Sequence, residues 1–499
     1  MTAQISASAR LARTCDELLA RGLPPHIHGA IADVRRELGR PLRLAVVGRV
    51  KSGKSTLVNA LLGQRVARVD ASECTRAVTW FSYGHQEQVV VHARDGRSWT
   101  RAFAPDGFLP ADLGAAPEEI DAVEVVLCNA ALAGLTVIDT PGLDSLTADA
   151  GARTDAFLGL DGASRHALSV ADAVLFLVPQ LTRDDDRRLR ALADAMGRTV
   201  AASGFSPATV LAVVSKADTL DGEAEDPWPA AVALATHYGD QLQGVAAGVL
   251  PVIGLLAEAA DAALVTEDVA DALRRLALLP PDDRELLMLS ADLFTTTPDV
   301  GVGEAERVRL LDLLGLHGVQ LCLGWLDQGH QGAHALTKQL HAASGVDALH
   351  DTVRRLFTAQ ADAIAAHRAL VALERLVYVV GATPSMRDAI EEAREDTALQ
   401  HLRERDVFAR WSRGELELPE ALAADLHHLA VGTDVPGRLG VDPLEGAVGR
   451  DVLARRALDG ATRWLRFGNA PGTNQAARRA AEVVRDSYTA MWETVGGAS

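Results

Sequence analysis

Residues 48–56 read GRVKSGKST, and their types and spacing suit one chemistry, the holding of a polyphosphate. Gly48, Gly53, Lys54 and Ser55 satisfy the pattern G-x-x-x-x-G-K-[ST]. Glycines let the backbone curl so that successive N–H groups point at phosphate oxygens. A lysine at this place reaches the β- and γ-phosphates, and the hydroxyl after it ligates Mg²⁺. The helix that follows turns its positive end to the same anion. Gly48, Ser52, Gly53, Lys54, Ser55 and Thr56 are thus the expected phosphate-binding set. Lysine is scarce here: Lys51, Lys54, Lys216 and Lys338 are the only four among 49 lysines and arginines. A chain that otherwise uses arginine has kept lysine at the one position where the loop chemistry requires it. Lys51 has two readings, a cation between the β- and γ-phosphates or a solvated loop lysine.

Three further stations follow in order. A threonine in the segment VDASECTRAVTWF is expected to ligate Mg²⁺ through its hydroxyl and to hold the attacking water through its carbonyl. Thr75 is preferred over Thr79. Asp139-Thr140-Pro141-Gly142 closes an apolar run, where Asp139 would hold Mg²⁺ through water and the Gly142 N–H would sense the γ-phosphate. Ser215-Lys216-Ala217-Asp218 matches [NTS]-K-x-D. Asp218 would accept from the guanine N1–H and exocyclic amine, and the Lys216 stem would cover the base. Adenine presents the opposite donor pattern at that edge, so the motif selects GTP over ATP. Ser215 stands where asparagine or threonine is commoner. A last station near Ile253-Gly254 would offer backbone contacts only. Asp184-Asp185-Asp186 reads as a helix cap complementing the dipole rather than a metal site.

These stations need strands that end where the loops begin. Leu42–Val47, Val123–Leu127, Leu135–Ile138, Ala173–Val178, Thr209–Val214 and Val249–Ile253 read as strands, several apolar throughout and so buried on both faces. Gln88–Arg94 and Ser98–Phe103 flank Asp95-Gly96 as a hairpin. Residues 1–40 read as two short helices, with Leu11, Cys15 and Leu18, then Ile27, Ile31, Val34 and Leu38, at helical spacing. Beyond Pro280-Pro281 the strand signals fade. Leu349, Val353, Leu356, Ile364 and Val371 lie on one helical stripe, and 474–495 carries another. The expected architecture is an α/β P-loop domain, three-layered around a mainly parallel sheet, plus an all-α bundle. The expected divisions are 1–40 packing on the bundle, 41–280 as the nucleotide domain and 281–499 as the bundle.

The net charge of −18 argues against a nucleic-acid binder. Four scattered cysteines with no C-x-x-C pair suit reduced thiols. No run of 18 apolar residues occurs, so any membrane role would be peripheral. One candidate contact is Trp464, Arg466 and Phe467, within a segment (450–486) holding eight arginines and four acids. Buried aromatics beside an inter-helix turn are the favoured reading of the same residues. Leu311–Leu326 with Trp325 is a second candidate, again more simply read as buried.

The stretches GRVKSGKSTLVNALLG, ASECTRAVTWF, VIDTPG, SKAD and PVIGLLA resemble the bacterial dynamin-like GTPases, of the actinobacterial isoniazid-inducible (IniA/IniC) type. GLHGVQL and SGVDALHDTVRRLF are similar to that family's helical half. The resemblance implies a GTPase head using GTP/GDP and Mg²⁺, a helical neck and trunk, and N- and C-terminal helices returning together to the neck. It also implies head-to-head dimers, a paralogous dynamin-like partner, and peripheral binding and remodelling of the cytoplasmic membrane. Lys54, Ser55, Thr75, Asp139, Gly142, Lys216 and Asp218 would take the family's nucleotide roles. The chain departs from the pattern at Val50 and Lys51, where eukaryotic dynamins carry glutamine and serine, and at Ile253, where serine is common. Cation-assisted hydrolysis therefore does not transfer directly, and Lys51 would substitute for the cation.

Overall fold

The computed structural model describes residues 6–21, 23–49, 51–67, 77–141, 167–178, 207–220, 226–242, 245–298, 300–380, 384–395, 400–412, 414–432, 434–441 and 448–496. Its centre is a nine-stranded sheet in the order β4-β3-β5-β2-β6-β1-β7-β8-β9. The strands are β1 Leu42–Val47, β2 Val78–Tyr83, β3 Gln88–Ala93, β4 Ser98–Arg101, β5 Ile120–Leu127, β6 Leu135–Asp139, β7 Ala173–Val178, β8 Val210–Ser215 and β9 Val249–Val252. β6, β1, β7, β8 and β9 run parallel to one another. β2 pairs antiparallel to β6, and β3 pairs antiparallel to both β4 and β5.

Period-two alternation divides the strand side chains between two apolar layers. Leu44, Val46, Leu175, Leu177, Leu211 and Val213 pack on one face with Leu57, Val58 and Leu61 of the helix Lys54–Leu62. Ala45, Val47, Val174, Phe176, Ala212 and Val214 pack on the other face with Leu234, Ala235 and Tyr238 of the helix Trp228–Gln241. All six residues of β7 are buried, as its unbroken apolar run requires.

The expected boundary at residue 280 falls inside one apolar cluster. Leu256, Ala259, Val269 and Leu273 pack with Leu287, Phe294, Leu310, Leu314 and Leu336 from beyond it. Leu349, Val353, Leu356 and Ile364 join the sheet core and not a separate bundle. The stripe that joined them to Val371 is interrupted by a π-helical turn at Arg354–Thr358.

The remaining helices form two clusters. Leu11, Cys15 and Leu18 of Ala7–Leu19 and Ile27 and Ile31 of Pro25–Glu37 pack with Leu370 and Leu373 of Ala361–Val380 and Ile390 of Pro384–Glu395. The Asp362 carboxylate accepts from Ala7 N at 2.9 Å, fastening the start of the first helix to the start of this one. Gln400–Ser412, Glu420–Val431, Arg450–Gly468 and Gln475–Gly496 form the other cluster around Phe408, Leu426, Trp464 and Tyr488. The last helix lies in a different apolar cluster from the N-terminal pair. Its apolar face is spent on the antiparallel neighbour Arg450–Gly468.

Candidate nucleotide-binding site

The parallel strands bring four stations to one edge of the sheet. The phosphate loop follows β1, Asp139 ends β6, Ser215 ends β8 and Gly254 follows β9. This is the carboxyl edge, where open α/β sheets bind ligands.

Gly48 has no room for a side chain. A Cβ there would lie 2.8 Å from Leu177 Cβ on the neighbouring strand and 2.8 Å from Ser52 Oγ. Ser52 N donates to Arg49 O at 3.1 Å, closing a tight turn. Gly53 is left-handed at φ 87° and heads the helix Lys54–Leu62. Lys51 is left-handed as well, at φ 61°. That conformation costs an L residue roughly 1–2 kcal/mol, and the Lys51 side chain is exposed.

Lys54 Nζ donates to Gly48 O at 3.2 Å and Arg49 O at 3.1 Å. Burial lowers its pKa, and the charge of Asp139 opposes that shift. Asp139 Oδ2 accepts from Ser55 Oγ at 3.3 Å, while the buried Asp139 Oδ1 has no protein partner. Burial pushes the Asp139 carboxyl up to about 6, against the pull of Lys54 and Ser55. Ser52 Oγ is likewise buried without a partner. A hydroxyl beside a carboxylate with a free oxygen is a hard-oxygen donor set that fits Mg²⁺.

On the base side, Ser215 Oγ donates to Ser52 O at 2.7 Å, tying the end of β8 to the phosphate loop. The serine that weakened the sequence motif thus has a structural task there. Lys216 is left-handed at φ 55°. Its Cε lies 3.9 Å from where a Gly53 Cβ would stand, so the stem runs along the loop. Burial raises the pKa of Asp218, opposed by its own backbone amide and by His317 and Lys216. Gly254 approaches Thr56 closely, a Cβ there lying 3.4 Å from Thr56 Cγ2.

Sequence reasoning missed one positioning group. Asn59 is fully buried in the phosphate-loop helix. Its Oδ1 accepts from Val66 N at 3.0 Å and Ala67 N at 2.8 Å. Its Nδ2 donates to Ala67 O at 2.8 Å and Glu258 Oε1 at 3.0 Å, and Arg65 pairs with Glu258 at 2.8 Å. This network fixes the chain just before residues 68–76. The signal was available as an amide inside the apolar run Leu57–Leu62.

Thr75, Gly142 and Asp184–Asp186 lie outside the described residues. Thr79 is buried in β2 directly opposite Asp139 in the antiparallel register. Trp464 is 0 % exposed inside the second helical cluster, with Phe467 edge-on to it at 6.0 Å. That packing contradicts Trp464 as a lipid contact. Arg466 is exposed and Phe467 half-buried. Trp325 and Leu311 pack against the cluster that also holds Leu314 and Leu326.

The chain is 34% identical over 470 residues to the isoniazid-induced protein IniC of Mycobacterium tuberculosis (strain H37Rv), covering 91% of this chain and 92% of that protein. It belongs to the bacterial dynamin-like GTPases of the IniA/IniC type. The dynamin family profile matches residues 44–201 of this dynamin-like GTPase. It is also similar to the isoniazid-induced protein IniA of M. tuberculosis, 35% identical over 112 residues (21% of this chain, 18% of that one). The bacterial dynamin-like protein of Nostoc punctiforme matches at 43% over 56 residues (11% and 8%). A solved structure described as "an oligomerised bacterial dynamin pair" that serves "long range sensing and tethering of membranes" overlays with a TM-score of 0.33 at 15% identity. The overlay covers 94% of this chain, which spans 63% of the length of that one. As a dynamin-like GTPase the protein binds and hydrolyses GTP.

Proposed function

We propose that this GTPase couples GTP-dependent pairing of its heads to binding and remodelling of the cytoplasmic face of the membrane. The observation that carries the coupling is the placement of the helices. The nucleotide stations occupy the carboxyl edge of the sheet, and the helical clusters attach at the opposite edge, beside the starts of β1, β7 and β8. Asp172, directly before β7, pairs with Arg40 at 3.0 Å and with Arg368 of the helix Ala361–Val380 at 2.7 Å. Ala208, before β8, packs with Phe408 and Leu426. A shift in the loops after β1 and β6 is then passed along buried strands to the helices. We place the head at 41–358, one helical unit at 7–37 with 361–395, and a second at 400–496.

In the head, Lys54 neutralises the β- and γ-phosphates, and the loop N–H groups from Gly48 to Thr56 cradle them. Ser55, Asp139 and Thr75 would hold Mg²⁺, which when bound supplies charge stabilisation to the transferred phosphoryl group. Thr75 holds the attacking water through its carbonyl, Gly142 senses the γ-phosphate, and Lys51 adds positive charge at the β–γ bridge. Lys216 covers the base, and Asp218 accepts its two N–H groups beside Ser215. The acting species is a dimer of heads, alone or with a paralogous dynamin-like chain.

Co-sedimentation with anionic phospholipid vesicles, in GTP, GDP or a non-hydrolysable analogue, tests the membrane reading. The expected result is pelleting that depends on the nucleotide, with dimers of the soluble protein in the analogue. Protein left in the supernatant under every lipid and nucleotide condition would refute it, and would leave a soluble GTP-dependent switch acting on protein partners.

A further inference from the structure

The helix Glu304–Asp327 lies beyond the expected head boundary, yet it reaches the base side of the nucleotide site. Midway it breaks at Gly315, where φ is 64° and ψ 174°. That backbone region is essentially glycine's alone, and such outliers gather at functional sites. A Cβ built on Gly315 would lie 3.7 Å from Asp218 Oδ2 and 3.5 Å from Leu255 Cδ2. The break is therefore wedged between the base-reading carboxylate and the helix that begins at Gly254. It has no room to retreat. A Cβ on Gly318 would come within 2.6 Å of Leu256 Cδ2 and 3.0 Å of Leu314 Cβ.

We propose that Gly315 forms the outer wall of the guanine seat, a specificity-determining element contributed by sequence outside the nucleotide motifs. Gly315 keeps the volume beside Asp218 Oδ2 clear for the edge of the base. A side chain there would carry its outer atoms into the space where the N1–H and exocyclic amine must reach the carboxylate. The inference rests on Asp218 as the guanine-reading group.

The test is steady-state hydrolysis of GTP and ATP by the full chain, comparing Gly315→Ala and Gly315→Val. Gly324→Ala is the control, since it lies in the same helix with open space around its Cβ position. KM for GTP is expected to rise about tenfold or more in Gly315→Val and by less in Gly315→Ala, because a site built to bond N–H groups loses discrimination when that bonding is disturbed. The maximal rate stays within about twofold, KM for ATP is unchanged, and Gly324→Ala matches the parent. Folded variants that keep the parent KM for GTP overturn the proposal. If Gly315→Val does not fold, Gly315→Ala decides alone: the parent KM for GTP overturns the proposal, and a raised KM upholds it. A parent that hydrolyses ATP as readily as GTP would instead remove Asp218 from base reading, and this inference with it. A selective parent with equally selective variants refutes only the wall.

Discussion

The amino edge of the central sheet holds the buried Asp172 and the carboxyl edge the partly buried Asp139, and the two are built to opposite standards. At the amino edge, Asp172 accepts from Arg43 N at 2.8 Å, Arg40 Nη1 at 3.0 Å and Arg368 Nη1 at 2.7 Å. Arg368 also donates to the carbonyls of Ser169, Val170 and Ala171. At the carboxyl edge, Asp139 has one hydroxyl donor and one oxygen with none. A saturated carboxylate ties elements together. A buried one with a free oxygen is costly unless something outside the protein completes it. The difference separates the joint of this molecule from its chemistry, and substitutions at the two edges are expected to act with opposite sign.

The largest effect belongs to the joint. Asp172→Ala leaves Arg40 and Arg368 facing a site with no anion, and breaking a buried ion pair in this way costs about 3–5 kcal/mol. Scanning calorimetry should show a lower melting temperature, and hydrogen exchange should show faster opening of β7 and of Ala361–Val380. Affinity for GDP should stay within about threefold, since Asp172 lies at the other end of the strand. An unchanged melt would remove Asp172 from the joint.

Lys54→Ala works the other way. Loss of the phosphate-binding ammonium is expected to weaken GTP binding at least about 100-fold, or about 2.7 kcal/mol. The melt without nucleotide should not fall, because the ammonium is held in a partly desolvated place against its preference. Fluorescent-nucleotide titration and calorimetry read the two halves. Parent-like affinity would refute the phosphate assignment.

Asp139→Asn is a sharper form of the same comparison. The folded-state pKa of Asp139 is about 6 against an ordinary 3.8. The carboxyl group therefore favours folding most below pH 3.8, and that contribution is lost as pH rises through about 6. At about 1.4 kcal/mol per pKa unit, the buried carboxylate costs on the order of 3 kcal/mol at pH 7. The nucleotide-free Asn variant should therefore melt higher than the parent at pH 7 and draw level with it near pH 4. It should lose GTP hydrolysis, and added GTP with Mg²⁺ should stabilise the parent far more than the variant. A lower melt for Asp139→Asn at pH 7 would mean that the free oxygen is not the cost it is taken to be.

Much of this was legible in the residues. The strands β7 and β8 announce themselves as unbroken apolar runs, and GRVKSGKST, DTPG and SKAD carry spacing that the geometry of phosphate and guanine recognition dictates. What the helices beyond residue 280 pack against was not legible. The helices beyond it, such as Glu304–Asp327, have apolar stripes that fit a bundle or a sheet equally well, and periodicity states which face is buried but not against what. The Asp172 joint was invisible for a related reason: Arg40, Asp172 and Arg368 are brought together only by the tertiary fold. The break at Gly315 was hidden inside GLHGVQL, since an isolated glycine in a helical pattern is usually tolerated without a break.

His341 gives the comparison an intermediate case, with the smallest effect. Its Nδ1 lies 2.6 Å from Asp261 and its Nε2 2.8 Å from Asp347. Both carboxylates are satisfied only when the ring carries two protons, since a neutral imidazole has a single N–H to give. Burial works against the charged ring, and the two hydrogen-bonded carboxylates outweigh it, so its pKa is raised above the ordinary 6.5. The stabilisation is fully present below pH 6.5 and is lost as pH rises through the raised folded-state value. The ring is one-third exposed, so solvent screening holds the effect to under about 1 kcal/mol. Thermal melts of the parent at pH 6 to 9 should show this small loss, and His341→Gln, which does not titrate, should show a flatter profile over the same range. Parallel profiles in the two proteins would place the pH dependence elsewhere and leave the Asp261 and Asp347 contacts indifferent to protonation.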